Sequence, residues 1–109
     1  MKTVRGKNVL VTGAAQGMGR LFAERAMSEE AAAVVLWDVD ERAIDAVLDE
    51  VGDAPTEISA YVVDVSDPDA VADTAAAVLD DLGRIDVLVN NAGVVRGNRY
   101  FWETDLVHD

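Results

Sequence analysis

The chain has 109 residues, which suits one domain, and half of them are hydrophobic, so a buried core is expected. Its 21 acidic and 9 basic residues give a net charge of -12, which excludes electrostatic attraction to nucleic acid. The absence of cysteine excludes disulfides and thiolate metal sites and fits a reducing cytoplasm, and no apolar run is long enough to span a membrane.

Four short apolar segments predict β-strands, at residues 9–11, 34–37, 58–63 and 87–89. Such runs lack polar alternation, which is typical of strands buried on both faces. A first helix is predicted over residues 17–30, with Met18, Phe22 and Ala26 at helical spacing.

Two further helices are predicted over residues 41–51 and 67–82. Asp40 is placed to cap the first of these, and Gly52 follows its end. Ser66 is the expected cap of the last helix, with Asp69 three residues on. Strands that alternate with helices predict an α/β fold with parallel pairing and right-handed crossovers. We expect one three-layer, Rossmann-like doubly wound domain over residues 1–109.

The loop Thr12-Gly13-Ala14-Ala15-Gln16-Gly17-Met18-Gly19 follows the first strand and opens the first helix. In this context glycines favour a dinucleotide site: Gly13 permits a tight turn, Gly17 a close approach to pyrophosphate, and Gly19 close packing of helix on strand. Free amide groups and the helix dipole would attract the phosphates. The alternative is a flexible turn that binds nothing.

Asp38 ends the second strand, where an acid hydrogen-bonds both hydroxyls of the adenosine ribose in dinucleotide-binding folds. A 2′-phosphate would be repelled there, and neither Val39 nor the loop residues Ala14 and Ala15 offer a cation. The sequence therefore predicts NAD rather than NADP. The alternative is a capping or solvated aspartate.

Taken together, the glycine loop, Asp38, Asp64-Val65 and Asn90-Asn91-Ala92-Gly93 resemble the short-chain dehydrogenase/reductase family, classical type. The resemblance implies that Asp64 and Val65 lie against adenine, that Asn90 braces the sheet, and that Ala92 and Gly93 line the ribose. With the loop residues Gly13, Gln16, Gly17, Met18 and Gly19 and with Asp38, these form the expected cofactor site. A loop acid beside Ser66 is the alternative for Asp64.

The resemblance also implies the strand order 3-2-1-4 and an oxidoreductase that acts on alcohol or carbonyl groups. Members of the family often have a glycine near position 31, but Glu30-Ala31-Ala32 stands here, so no left-handed cap is expected.

The catalytic tyrosine and lysine of the family, four positions apart, cannot be placed. Tyr61 is followed by Val65 and Tyr100 by Thr104, and His108 has no partner for catalysis or metal binding. We therefore expect a truncated, inactive cofactor domain without a catalytic or metal site. The alternatives are a non-catalytic nucleotide-binding module, the remnant of a broken gene, or a methyltransferase that binds S-adenosylmethionine.

In the truncated domain the fourth strand would form an exposed apolar edge, which predicts self-association. The acidic surface has a separate implication. Only Lys2 and Lys7 are lysines, and an acid-rich, lysine-poor surface is typical of proteins in high salt. An ordinary acidic protein is the alternative.

Overall fold

A computed structural model describes residues 4–52 and 54–91, together with the backbone at 95–96 and 99–100. Its strands are β1 (Asn8–Thr12), β2 (Ala33–Asp38), β3 (Glu57–Val62), β4 (Val87–Asn90), β5 (Val95–Arg96) and β6 (Arg99–Tyr100). Its helices are α1 (Gly17–Ser28), α2 (Glu41–Val51) and α3 (Pro68–Leu82). The predicted alternation of strands and helices up to β4 is confirmed.

The first four strands form one parallel sheet in the order β3-β2-β1-β4, as the family resemblance implies. β1 lies inside the sheet, so that Val9 is opposite Val34 on one side and Val87 on the other. Beyond β4 the sequence pattern is irregular, but β5 and β6 pair there as two short antiparallel strands.

Successive residues of the central strands point to opposite faces of the sheet, and each face has its own core. Val9 and Val11 lie in the core that α1 and α2 cover, whereas Leu10 lies in the core that α3 covers. The two faces are both apolar because both are buried, which explains the absence of polar alternation. The molecule therefore has three layers, as expected.

The buried face of α1 is made of small residues. Its buried residues are Gly19, Ala23 and Ala26, while Met18 is 58% and Phe22 40% exposed. Of the three residues noted at helical spacing, Met18, Phe22 and Ala26, only Ala26 is buried. Small residues form the contact because they let the helix axis approach the sheet closely.

The cap of α2 was predicted correctly and that of α3 was not. Asp40 accepts a hydrogen bond from the backbone N–H of Ala43 at 3.1 Å. At α3 the capping side chain is Asp67, which accepts from the backbone N–H groups of Asp69 and Ala70. Ser66 instead donates its hydroxyl to Asp64 at 2.6 Å, so it is not available to the helix.

Glu30 adopts the left-handed conformation after α1, with φ of 68°. The expectation that the absence of glycine would exclude this conformation was wrong. The Glu30 carbonyl accepts from Gly6 at 3.0 Å, and its carboxylate pairs with Arg5 at 3.0 Å. These contacts accompany a backbone conformation that costs a residue other than glycine about 1–2 kcal/mol.

Candidate cofactor site

The carboxyl ends of the four parallel strands meet at one edge of the sheet, which is where open α/β sheets bind ligands. Thr12 ends β1 opposite Trp37 of β2 and Asn90 of β4, and Asp38 ends β2 opposite Val62 of β3. The side chains predicted to bind a cofactor from separate parts of the chain are therefore brought to a common edge.

The glycine loop leaves this edge between β1 and α1. Gly13 and Gly17 have φ of 62° and 57°, which residues with a side chain rarely adopt. A Cβ atom at Gly17 would meet nothing within 4 Å, so the space beside its backbone is open to a ligand. A Cβ atom at Gly19 would overlap the Gly13 carbonyl, so this glycine permits the close packing of helix on strand.

The N-terminus of α1 differs from those of the other two helices in the described part of the chain. Asp40 and Asp67 cap α2 and α3, and each of those helices has a further acid in its first turn. At α1 the cap is Gln16, whose side chain makes no capping hydrogen bond, and the first turn has no acid. Its amide groups and positive dipole end are thus available to a phosphate.

Hydrogen bonds tie the loop to the end of β2. The N–H of Ala14 donates to the Trp37 carbonyl at 3.1 Å, and that of Ala15 donates to Asp38 Oδ2 at 3.0 Å. The other carboxylate oxygen, Asp38 Oδ1, accepts from the N–H of Asp40 at 3.0 Å. The Asp38 carboxylate is thereby held beside the loop.

A pocket of about 270 Å³ opens next to Asp38. It is lined by residues of the glycine loop and of the ends of β2 and β3, namely Gly13, Trp37, Asp38, Val39, Val63, Asp64 and Val65. Its two charged side chains, Asp38 and Asp64, are both acidic. The predicted residues Gly13, Asp38, Asp64 and Val65 therefore share one concave surface.

Asp64 is exposed and hydrogen-bonded to the residue two positions on. Its Oδ1 accepts from the Ser66 hydroxyl at 2.6 Å and from the Ser66 backbone N–H at 2.9 Å. The hydroxyl hydrogen bond first, and then the backbone one, lower the pKa of Asp64. The carboxylate is thus ionised at neutral pH at the rim of the pocket.

Two asparagines at the end of β4 join it to β1 and to the loop. Thr12 donates its hydroxyl to Asn90 Oδ1 at 2.9 Å, and Asn91 donates its side-chain amide to the Gly13 carbonyl at 3.4 Å. Asn90 thus contacts β1 as a bracing residue would. Asn91 was not among the predicted site residues, although its position in the Asn-Asn-Ala-Gly motif marked it.

The remaining predicted residues either do not line the pocket or lie outside the described part of the chain. The Met18 side chain is exposed at the start of α1, and Gln16 donates its side-chain amide to Asp40 Oδ2 at 3.3 Å. Ala92 and Gly93 lie outside the described residues, as do His108 and the side chain of Tyr100. Within the described ranges, no group of three or more His, Cys, Asp or Glu side chains is arranged to hold a metal.

An apolar cavity of about 260 Å³ lies on the α3 face of the sheet, between α3 and β4. Trp37, Val71, Ala75 and Leu88 are among its walls. The indole N–H of Trp37 is buried and has no acceptor in the part of the chain that is described.

The residues present fit a dinucleotide. The open space at Gly17 and the uncapped α1 terminus suit a pyrophosphate, and the held carboxylate of Asp38 suits ribose hydroxyls. None of the helices in residues 4–52 and 54–91 is both long and apolar enough to cross a membrane.

Comparison with known proteins agrees with this geometry. The chain is 44% identical over 105 residues to human 15-hydroxyprostaglandin dehydrogenase [NAD(+)], covering 94% of this chain and 38% of that protein. It thus spans well under half of that relative's length.

Two solved structures are similar in fold. An NAD+-bound xylitol dehydrogenase matches with a TM-score of 0.77 and 37% identity, over 86% of this chain and 36% of that one. A metagenomic short-chain oxidoreductase in complex with NADP matches with a TM-score of 0.75 and 41% identity, over 85% and 42%.

The family model for short chain dehydrogenases matches residues 7–107, which is nearly the whole chain. The strand order β3-β2-β1-β4 and the geometry of the glycine loop both agree with that match. The chain therefore belongs to the short chain dehydrogenase family.

Proposed function

We propose that this chain forms the NAD-binding part of an oxidoreductase that transfers hydride between nicotinamide and an alcohol or carbonyl group. The observation that carries the proposal is that the uncapped N-terminus of α1 and the hydrogen-bonded carboxylate of Asp38 lie at the same edge of the sheet. The first suits pyrophosphate and the second suits the adenosine ribose.

The preference for NAD over NADP rests on the charges around Asp38. The two charged residues that line the pocket, Asp38 and Asp64, both repel a 2′-phosphate, and Val39 supplies no cation beside them. Ionised carboxylates accept hydrogen bonds from ribose hydroxyls, but they cannot donate to a phosphate. One of the similar solved structures holds NAD+ and another holds NADP, so we expect any preference of this chain to depend on the residues of its own pocket.

Isothermal titration of the chain with NAD+ and NADP+ tests this proposal. We expect tighter binding of NAD+, and we expect Asp38→Ala to weaken NAD+ binding and to reduce the preference by about tenfold, the value of one hydrogen bond to a charged group. Asp45→Ala, at an exposed acid on α2, is the control for the loss of one charge. An unchanged preference in Asp38→Ala would refute the role of Asp38.

A parallel titration with S-adenosylmethionine distinguishes the NAD-binding proposal from the methyltransferase alternative. Binding of S-adenosylmethionine in place of NAD+ would overturn the proposed cofactor. The cytoplasmic location stays a prediction.

The second candidate is a nucleotide-binding module without catalysis. It is favoured by the two tyrosines, neither of which is followed four positions later by lysine. A turnover assay of the chain with NAD+ or NADH and a panel of alcohols and carbonyl compounds separates the two. Binding without turnover supports the module, and turnover supports the enzyme.

We also propose that the chain on its own associates with a second copy through β4. In the described residues β4 pairs with β1 alone, and Leu88 on it is 39% exposed beside the apolar cavity. An open strand edge with apolar side chains favours pairing with another chain. Light scattering of Leu88→Lys is expected to show less association than Leu79→Lys, a control at an exposed leucine on α3. A monomeric wild-type chain would contradict this.

A further inference from the structure

We propose that Met18 is a site of reversible oxidation that controls nucleotide binding; this rests on the proposed dinucleotide site. A peroxide converts the Met18 thioether to its sulfoxide, and the sulfoxide weakens the binding of a pyrophosphate at the start of α1. Three observations carry the proposal: the exposure of the Met18 side chain, its position among the free amide groups of α1, and the absence of cysteine from the sequence.

Met18 is the more accessible of the two methionines in the described part of the chain. The sequence has three methionines and no cysteine, so no thiol competes for a peroxide. Met18 is 58% exposed, whereas Met27 is half-buried and packs against the core that α1 and α2 cover. Met1 lies outside the described residues. Because the oxidant must reach the sulfur, Met18 should react before Met27.

Met18 lies within the turn that would hold the pyrophosphate. The first hydrogen bond of α1 runs from the N–H of Arg20 to the Gln16 carbonyl at 3.3 Å. The N–H groups of Gly17, Met18 and Gly19 precede that bond and have no acceptor within the helix. Gln16 makes no capping bond through its side chain, and the first turn contains no acid. The Met18 side chain therefore leaves the backbone from the middle one of these three amide groups.

The oxidation step balances with a peroxide as the oxidant. The sulfur lone pair attacks one oxygen of hydrogen peroxide, so that an S–O bond forms, the O–O bond breaks, and the other oxygen leaves as water after proton transfer. Sulfur is oxidised to the sulfoxide and the peroxide is reduced. Methionine sulfoxide reductases reverse the step with electrons from a dithiol, which becomes a disulfide while the oxygen leaves as water.

The sulfoxide changes the electrostatics at the start of α1. Its oxygen is polar and accepts hydrogen bonds, whereas the thioether sulfur is only a weak acceptor. Beside the positive end of the α1 dipole, that oxygen is attracted to the free amide groups and competes with a phosphate for them. The space beside the Gly17 backbone is open to either group, since a Cβ atom there would meet nothing within 4 Å. Oxidation therefore lowers nucleotide affinity.

The experiment compares the affinity for NAD+ before and after oxidation. The chain is treated with hydrogen peroxide, the oxidised residues are located by peptide mass spectrometry, and binding is measured by isothermal titration. We expect the Kd for NAD+ to rise by about 3- to 10-fold once Met18 is oxidised, the value of one competing hydrogen bond. Because Met18 is exposed, the melting temperature should stay close to that of the untreated chain. Methionine sulfoxide reductases with a dithiol should restore the original Kd.

Met18→Leu and Met27→Leu are the matched variants, and each is compared with its own untreated form. Met18→Leu retains Met1 and Met27, so peroxide should leave its Kd unchanged. Met27→Leu retains Met18, so its Kd should rise on treatment as in the wild type. Met18→Gln carries a hydrogen-bonding oxygen at this position without any oxidation, and it should bind NAD+ more weakly than Met18→Leu does.

The proposal is overturned if Met27 is oxidised before Met18, or if oxidation of Met18 leaves the Kd unchanged. It is also overturned if peroxide weakens binding by Met18→Leu as much as by the wild type, since the effect would then come from Met1 or Met27. Failure of the proposed function looks different. In that case the untreated wild-type chain binds neither NAD+ nor NADP+, and both proposals fall together.

Discussion

Gly19 packs so closely on Gly13 that a Cβ atom at position 19 would overlap the Gly13 carbonyl and crowd the Asn91 side chain. We therefore expect Gly19→Ala to lower the free energy of unfolding by about 1–3 kcal/mol. The loss should appear although alanine is the better helix former by about 1 kcal/mol. Urea unfolding measures the change.

Because Gly13 belongs to the loop, Gly19→Ala should also weaken nucleotide binding. Gly6→Ala is the control: it strains a left-handed backbone at φ of 73°, in open space away from the loop. Gly6→Ala should be less stable than the wild type and should bind nucleotide with unchanged affinity. Equal affinities in Gly19→Ala and wild type would contradict the packing argument.

The left-handed Glu30 predicts a stabilising substitution. Glu30→Gly relieves strain of about 1–2 kcal/mol, from which the greater freedom of glycine in the unfolded chain subtracts about 0.5–1 kcal/mol. We expect a small net rise in melting temperature. Glu30→Gln is the control, because it loses the Arg5 ion pair and keeps the strained backbone. Its melting temperature should not rise. A lower melting temperature for Glu30→Gly would show that the backbone there is not strained.

The cap of α3 can be assigned by a pair of alanine substitutions. Asp67→Ala removes the acceptor of two first-turn amide groups and should cost about 1 kcal/mol of stability. Ser66→Ala should cost less, because Ser66 bonds to Asp64 rather than to the helix. Chemical denaturation of both variants decides between them, and the reverse ranking would restore Ser66 as the cap.

Asp86 gives the fold a dependence on pH. It accepts from the Asn8 backbone N–H at 2.8 Å and from Arg84 at 2.7 Å, and these hydrogen bonds, that of Asn8 first, lower its pKa. A lowered folded-state pKa contributes stability that is present above the unfolded pKa and is lost as pH falls through the folded one.

Asp86→Asn should therefore lower the melting temperature at pH 7, and its difference from wild type should narrow as pH falls below about 4. Asp45→Asn is the control for loss of one charge. A difference that stays constant down to pH 2 would mean that the Asp86 hydrogen bonds do not depend on its charge.

The net charge of -12 predicts a response to salt. Self-repulsion among the acidic groups destabilises the compact state and is screened by ions. The high-salt hypothesis expects the melting temperature to rise steadily with sodium chloride into the molar range. Greatest stability in dilute buffer would favour the ordinary acidic protein.

The strands were accessible from the sequence because each central strand is buried on both faces, and runs such as that around Val35 leave few other assignments. Their order was expected only from the family resemblance. The buried face of α1 was not accessible, since helical spacing relates Met18, Phe22 and Ala26 equally, whereas the close approach of the helix to the sheet buries Ala23 and Ala26.

The roles of single residues depend on hydrogen-bond partners that the periodicity of the sequence does not reveal. Ser66 and Asp67 are both good caps, and only the bond from Ser66 to Asp64 decides between them. The second contact of Asp40 and the bond from Asn91 to Gly13 join positions 24 and 78 apart, so local patterns could not indicate them.

The bonds from Thr12 to Asn90 and from Asn91 to Gly13 also bear on how the molecule folds. Each closes a separation of 78 positions, so the loop gains these supports only after β4 has paired with β1. Contacts of such sequence separation form late and slow the search for the native state. We therefore expect the glycine loop to be among the last parts to be completed, and nucleotide binding by the loop would report that the whole sheet has assembled.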